Sequence, residues 1–305
     1  NVRPIFFGLD WQSDVLGIEL NRGDVLIVCG APRSLSTIFL LIRARWLGIK
    51  TIWWGHYWSA SSKKWRFKIR KFFFNLADSL LFYTDLELKE FLEGISRNSW
   101  TAISCLNNGI RNEEISSLRA EYKPHLREYS IFFIGRITKK AQIDLLLRAL
   151  GQDKLKKISL EVIGSGPELE RLQGLAINLG ISSRVSWHGE LTDEQAISHI
   201  ANRCKLFCYP GAVGLSLIHA MNYGLPVVVH SDRYKQMPEY SAFLKSKAGW
   251  SFSRNNYVSL EEVLTDKLND HDGLLEASHR AIKTVTNSYN TNDMVYRILK
   301  LLKSI

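Results

Sequence analysis

The sequence predicts an α/β protein of two domains, each a parallel sheet with helices on both faces. Three observations predict it. Short β-branched or aromatic runs alternate with amphipathic stretches almost throughout, and that alternation favours parallel strands joined by helical crossovers. The 305 residues suit two domains of about 150 residues each, or one large α/β domain. Residues 111–128 are charged, have no clear period and include Pro124, which marks an interdomain linker.

In order, Asp24–Cys29 reads as a buried strand and Ser34 to about Leu47 as a helix. Lys50–Trp54 is the next strand, Lys64–Ala77 a helix and Ser79–Tyr83 a strand. Trp100–Ser104 is another strand, ending in the turn Asn107-Asn108-Gly109. Beyond the linker, Ser130–Ile134 is a strand and Ile143–Leu150 lies in a helix. Ile158–Ile163 is a strand, and Pro167 then opens a helix that Gly180 closes, the usual asymmetry of those two residues. Arg184–His188, Lys205–Tyr209 and Val227–His230 are strands, with a helix over Leu215–Tyr223 stopped by Gly224 and Pro226. Thr192-x-x-Gln195 and Ser259-x-x-Glu262 read as capping boxes. Two helices run from there to the end, with Met294, Ile298, Leu301 and Leu302 at helical spacing. The expected domains are 1–120 and 121–288, with a C-terminal helix at 289–305 able to cross back to the first.

Composition excludes several classes. Apolar residues at 46% and charged residues at 23% are a globular balance, not a disordered or fibrous one. No apolar run approaches the ~20 residues of a spanning helix. Cys29, Cys105, Cys204 and Cys208 are scattered and form no C-x-x-C pair, so reduced buried thiols are expected rather than disulfides or a zinc site. The opening residues are polar and show no leader-like apolar stretch. Net charge is +10, which suits nucleic acid, acidic membrane or small anions. Between Asp24 and Asp78 there is no acidic residue, while ten basic residues are interleaved there with five tryptophans. Within that stretch, Lys63–Phe74 carries six cations and five aromatics. As a helix it would lie in a headgroup layer with its cations on anionic lipid, or else cover the sheet as an ordinary helix.

Four clusters can carry chemistry. Gly135-Arg136-Ile-Thr-Lys139-Lys140 follows a strand directly, a placement that suits phosphate oxygens. Pro210-Gly211-Ala-Val213-Gly214-Leu215-Ser216 joins a strand to a helix. Its glycines admit close backbone approach, and the N–H groups of Val213, Gly214 and Leu215 are expected to form an anion site. His219 lies one turn into that helix. Gly164-Ser-Gly166 resembles the start of a dinucleotide fingerprint, but Leu169 holds the third glycine position. Trp54-Gly55-His56-Tyr57 ends a strand in the first half, placing His56 where it can meet a ligand. There is no H-E-x-x-H, G-x-S-x-G or Walker loop.

Taken in order, these pieces resemble the retaining GT-B glycosyltransferases of family 4, the glycosyl transferases group 1. Gly135–Lys140 followed by Ile143-Asp144-Leu-Leu-Leu is similar to the family's phosphate-binding turn and helix. Leu160–Glu168, Val185–Gly189 and Gly224–Val228 are similar to its next strand junctions, and Asn107–Ile110 to its motif before the linker. The family's Glu, seven residues, Glu pattern falls here on Gly211 and His219. Pro210–Ala220 and Gln236-Met-Pro-Glu239 instead resemble a branch with P-G-x-V-G-L-S-x-x-H-A and Q-M-P-E. The usual Lys position holds Ala141, so Lys139 or Lys140 must substitute. The first domain is shorter than the family's usual one and reads as truncated.

The resemblance implies two Rossmann-like domains facing a cleft. It also implies transfer of a sugar, with retention, from a nucleoside-diphosphate donor to an acceptor hydroxyl in polysaccharide or lipid-linked glycan synthesis. His56, Arg136 and Lys140 are then the expected catalytic residues, and Lys139, Gly211, Val213, Gly214, Leu215 and His219 the donor-binding ones. No metal and no cofactor are expected beyond the donor, with UDP favoured over GDP. Expected partners are a glycan or lipid-linked acceptor and an anionic membrane, with no nucleic acid. The expected location is the cytoplasm, at the inner face of its membrane or free. The alternatives are a non-catalytic relative that binds a nucleotide sugar, a dinucleotide oxidoreductase and a nucleic-acid-binding protein.

Overall fold

The computed structural model describes residues 2–5, 9–30, 33–57, 70–94 and 100–305. They form two compact units, one of residues 1–107 with 293–305 and one of residues 108–292. Each is a parallel α/β sheet.

In the first unit, β1 (Val2–Pro4) and β2 (Asp10–Gln12) pair antiparallel. The main sheet holds β3 (Val25–Cys29), β4 (Lys50–Trp54), β5 (Ser79–Phe82) and β6 (Ala102–Cys105), all parallel and in that order. The last begins two residues later than the sequence suggests. Helix α1 (Leu35–Trp46) links β3 to β4. Helix α2 (Asp85–Glu93) was not expected; Thr84 caps it by accepting from the Glu87 N–H at 3.3 Å. Of the basic aromatic segment, 63–69 lie outside the described residues and 70–74 are helical. Phe74 there is fully buried and meets Trp53 edge-on at 5.9 Å, while Phe72 stays exposed. Met294, Ile298, Leu301 and Leu302, read from their helical spacing, pack with Ile52, Leu81 and Leu106.

The second unit opens with α3 (Glu113–Leu118), a helix inside the stretch read as linker. Its Ile115 is buried in the core, an anchor too short to give a legible period. The sheet comprises β7 (Glu128–Ile134), β8 (Ser159–Ile163), β9 (Val185–Trp187), β10 (Cys204–Tyr209), β11 (Val227–His230) and β12 (Gly249–Phe252). Its order is β12-β11-β10-β7-β8-β9, every pair parallel. All six residues of β10 are buried, as expected of a strand covered on both faces. Between strands run α4 (Ile143–Leu150), α5 (Leu169–Asn178), α6 (Glu194–Ala201), α7 (Leu215–Asn222) and α8 (Tyr240–Ser246). Ile143, Leu146, Leu147 and Leu150 of α4 are buried at the spacing of one helix face.

Three helices follow β12 rather than two: α9 (Tyr257–Lys267), α10 (His271–Asn287) and α11 (Thr291–Leu302). Both expected capping boxes are displaced. Asp193, not Thr192, caps α6 by accepting from the N–H groups of Gln195 and Ala196. Asn256 caps α9 and starts it two residues before Ser259. Asp193 is a stronger cap than the neighbouring Thr192, and Asn256 accepts from the Val258 and Ser259 N–H groups one turn ahead of the expected start.

Candidate donor site

Chain order reverses in the second sheet between β7 and β10. From β7 the connections run outward through β8 to β9, and from β10 outward through β11 to β12. At such a reversal the loops leave to opposite sides and open a crevice at the carboxyl ends of the strands. Both loops singled out in the sequence sit there: Gly135–Lys140 follows β7, and Pro210–Gly214 follows β10.

The two loops touch. The Ala212 N–H donates to the Lys140 carbonyl at 3.1 Å. A Cβ on Gly211 would stand 1.8 Å from that same oxygen, so only glycine fits. A Cβ on Gly135 would come 3.0 Å from Ser216 Oγ, in the first turn of α7. The β8 loop joins them, with the Ile137 N–H on the Ser165 carbonyl at 2.8 Å. A Cβ on Gly164 would meet the Gly135 carbonyl at 2.0 Å. The glycines that hinted at a dinucleotide fingerprint are therefore explained by loop packing. The result is a cavity of about 490 Å³ whose lining includes Gly135, Arg136, Gly164, Gly166 and Glu190.

Lys139 and Lys140 lie on a single tight turn, Lys139–Ala141. Arg136, Lys139 and Lys140 are all exposed, and none forms an ion pair among the described residues. Three uncompensated cations at a strand end favour an anion. The N-terminus of α7 adds to them, with one correction. The Val213 N–H is not available, because it donates to Gln236 Oε1 at 2.8 Å. Gln236 is buried and tied in turn to the His230 carbonyl. The Gly214 and Leu215 N–H groups have no partner among the described residues.

His219 does not stand alone. Its Nε2 lies 2.7 Å from Glu194 Oε1 at the start of α6, and the Tyr223 hydroxyl donates to the same oxygen at 2.5 Å. Burial would raise the Glu194 carboxyl, but the hydrogen bonds from His219 and Tyr223 outweigh it and hold the pKa below its ordinary value. A second carboxylate, Glu239, is buried beside the α7 N-terminus. Its Oε1 accepts from Asn108 Nδ2 at 2.6 Å, and Oε2 stands 3.6 Å from where a Cβ on Gly214 would be. Sequence reading missed Glu194 because it comes from another helix, 25 positions away from His219. Glu239 was visible only as the last letter of Q-M-P-E.

His56 belongs to the first unit, at the carboxyl end of β4. Its Nδ1 lies 3.1 Å from Glu87 Oε1, and its side chain is 42% exposed. Among the described residues no three His, Cys, Asp or Glu side chains cluster as a metal site. Asp270 of Asp270-His271-Asp272 instead caps α10 through the Gly273 N–H. Nor is any described helix long and apolar enough to cross a membrane.

A sequence model of the glycosyl transferases group 1 matches residues 114–288, more than half of the chain and nearly all of the second unit. The chain belongs to this family. It is 24% identical over 291 residues to an uncharacterized glycosyltransferase of Haemophilus influenzae, covering 92% of this chain and 76% of that one. Among solved structures it resembles Staphylococcus aureus TarM, with a TM-score of 0.65 and 18% identity over 91% of this chain and 55% of that one. Anabaena HepE gives a TM-score of 0.70 with 14% identity, over 92% and 79%. These likenesses establish the GT-B glycosyltransferase fold. The chain thus spans about three quarters of the Haemophilus relative and little more than half of TarM.

Proposed function

We propose that the protein transfers a sugar from a nucleoside-diphosphate donor to an acceptor hydroxyl, with retention at the anomeric carbon. The observation that carries this is the β7/β10 reversal, where a loop with three cations free of ion pairs among the described residues and the N-terminus of α7 both follow strand ends. Cleaving the anomeric C–O bond builds negative charge on the departing diphosphate. Fixed positive groups aimed at that charge lower the barrier, each donor being worth about 3 kcal/mol. Arg136 is the bidentate clamp, and Lys139 or Lys140 the mobile charge. The free N–H groups of Gly214 and Leu215 complete the anion site. The cavity beside Gly164 and Glu190 takes the nucleoside.

Gly211 and His219 occupy the positions where the family resemblance puts two glutamates. Glu239 and Glu194 bring carboxylates back to the same neighbourhood from other helices, which supports a working site rather than a decayed one. In this reading the His219–Glu194 pair meets the ribose hydroxyls and Glu239 faces the sugar. His56 is read, as the sequence resemblance implies, as a contact to the sugar. UDP is the favoured nucleotide, since the TarM and HepE structures are complexes with UDP. The acceptor is a glycan or a lipid-linked glycan. A cytoplasmic, membrane-facing location draws on the charge of Lys63–Phe74.

The test is calorimetric titration of UDP and GDP, followed by incubation with UDP-sugars and candidate acceptors, the anomeric configuration of the product being read by NMR. Expected are UDP binding and an α-linked product from an α-linked donor. An inverted product would overturn retention. Tight binding with neither transfer nor donor hydrolysis would establish the non-catalytic alternative.

A further inference from the structure

A threonine followed three residues later by glutamate, at a helix start, normally makes a reciprocal cap in which the glutamate turns back to the threonine's own N–H. Thr84 and Glu87 stand in that pattern at the start of α2, yet Glu87 does something else. Its Oε1 lies 3.1 Å from His56 Nδ1 and accepts from the Tyr57 N–H at 3.3 Å. Its Oε2 accepts from the Tyr83 N–H at 3.1 Å. The side chain is completely buried. The His56 ring stacks on Tyr83, centroids 4.2 Å apart and planes within 16°. Arg70 fixes the backbone beneath by donating to the His56 carbonyl at 3.1 Å. A local capping rule is set aside here to hold one imidazole at its Nδ1 and on its face, and departures of this kind concentrate at functional sites.

The chemistry of the contact settles the tautomer. A carboxylate only accepts, so the hydrogen must be on Nδ1, and Nε2 of the neutral ring is then an acceptor. We propose that Glu87 is a positioning residue: it fixes the Nδ1–H tautomer and ring plane of His56, so that Nε2 is presented to a substrate hydroxyl. The substrate part rests on the glycosyltransferase reading; the tautomer part does not.

Glu87→Gln tests it, because the amide keeps the shape but has one acceptor oxygen and can donate to Nδ1. Long-range proton–nitrogen NMR on the histidine-labelled full chain reads the tautomer, with His56→Gln identifying the signals. The wild type is expected to show Nδ1–H with an acceptor-type Nε2, and Glu87→Gln to move His56 toward Nε2–H. In the transfer assay, kcat should fall about 10-fold or more with donor affinity unchanged, since a misplaced catalytic contact acts on the transition state. A wild-type ring already in the Nε2–H form would overturn the proposal, as would a tautomer that ignores Glu87→Gln. A shifted tautomer with unchanged kcat would overturn the link to the reaction. A wild type without transfer activity would defeat the functional reading and leave the NMR result standing. Should Glu87→Gln not fold, the wild-type spectrum still decides the tautomer. Glu87→Asp then tests the reaction, since it keeps the carboxylate on a shorter stem and is expected to retain Nδ1–H while losing turnover; unchanged turnover would overturn the positioning role.

Discussion

The two parallel sheets differ in one topological respect that decides where a ligand can be held by backbone. In the second unit the strand order reverses between β7 and β10, so the loops that carry glycines, cations and a helix N-terminus follow the strand ends at which the chain parts. In the first unit the described strands β3 to β6 simply follow one another, and no such reversal occurs among them. Polar function there has to be assembled from side chains, and the buried Glu87 gripping His56 is such an assembly. One unit makes its site by chain path, the other by a clamp.

The sharpest way to break this contrast is to remove one cation from each sheet. Arg136→Ala, at the reversal, is expected to lower kcat/KM about 100-fold or more. Arg136→Lys should recover only part, because the bidentate fork is lost. Lys50→Ala, an exposed cation at the start of β4, should stay within about 2-fold. Equal losses in steady-state kinetics would mean that the charge of the whole chain, not the crevice, handles the diphosphate.

Glycine gives the next test. Gly211→Ala places a Cβ 1.8 Å from the Lys140 carbonyl and is expected to cost about 1–3 kcal/mol in chemical denaturation, with loss of donor binding. Gly174→Ala in α5 meets nothing within 4 Å and should be neutral or stabilise by up to about 1 kcal/mol. If Gly211→Ala were as silent as Gly174→Ala, the two loops would not be locked together.

What the sequence shows of all this follows from distance along the chain. Strands β7, β8, β10 and β11 are legible because each is a mainly apolar, β-branched or aromatic run and mostly buried. The anion loops are legible because their residues are contiguous. Strand β12 and helix α8 were missed: Gly249-Trp-Ser-Phe252 is too short and mixed to show a period. The carboxylates Glu87, Glu194 and Glu239 were missed as site residues, since each acts on a residue that sequence places far away. Val213 was misjudged for the same reason, its N–H being taken by Gln236, 23 positions on. Local pattern locates the backbone of a site, while its second layer of side chains depends on the fold.

His219 tests that second layer at intermediate size. With Nε2 tied to Glu194, His219→Ala removes a charge-assisted contact and is expected to weaken UDP binding about 10-fold, changing kcat less. The calorimetric titration used for UDP measures the first, and steady-state kinetics the second. A change confined to the acceptor's KM would place His219 on the wrong side of the reaction and leave the ribose contact to other residues.

The smallest effect concerns His230, at the carboxyl end of β11 and fully buried. Burial, and then the Arg254 guanidinium, push its pKa down from 6.5 to about 4. The folded chain therefore keeps the ring neutral at a pH where the unfolded chain binds a proton. Its contribution to stability is complete above about 6.5 and is lost as pH falls from there toward 4. Between pH 7 and pH 5.5 the loss is about 1 kcal/mol. Glu194 has a lowered carboxyl, so its contribution is lost only at more acid pH, as pH falls through the depressed folded value. Urea unfolding at pH 7 and 5.5 should thus show a fall that His230→Gln abolishes while Glu194→Gln leaves it in place. If His230→Gln kept the full pH dependence, the acid sensitivity would have to come from histidines elsewhere. The buried ring of the residue whose backbone carbonyl holds Gln236, and through Gln236 the Val213 N–H, would then be protonated without penalty.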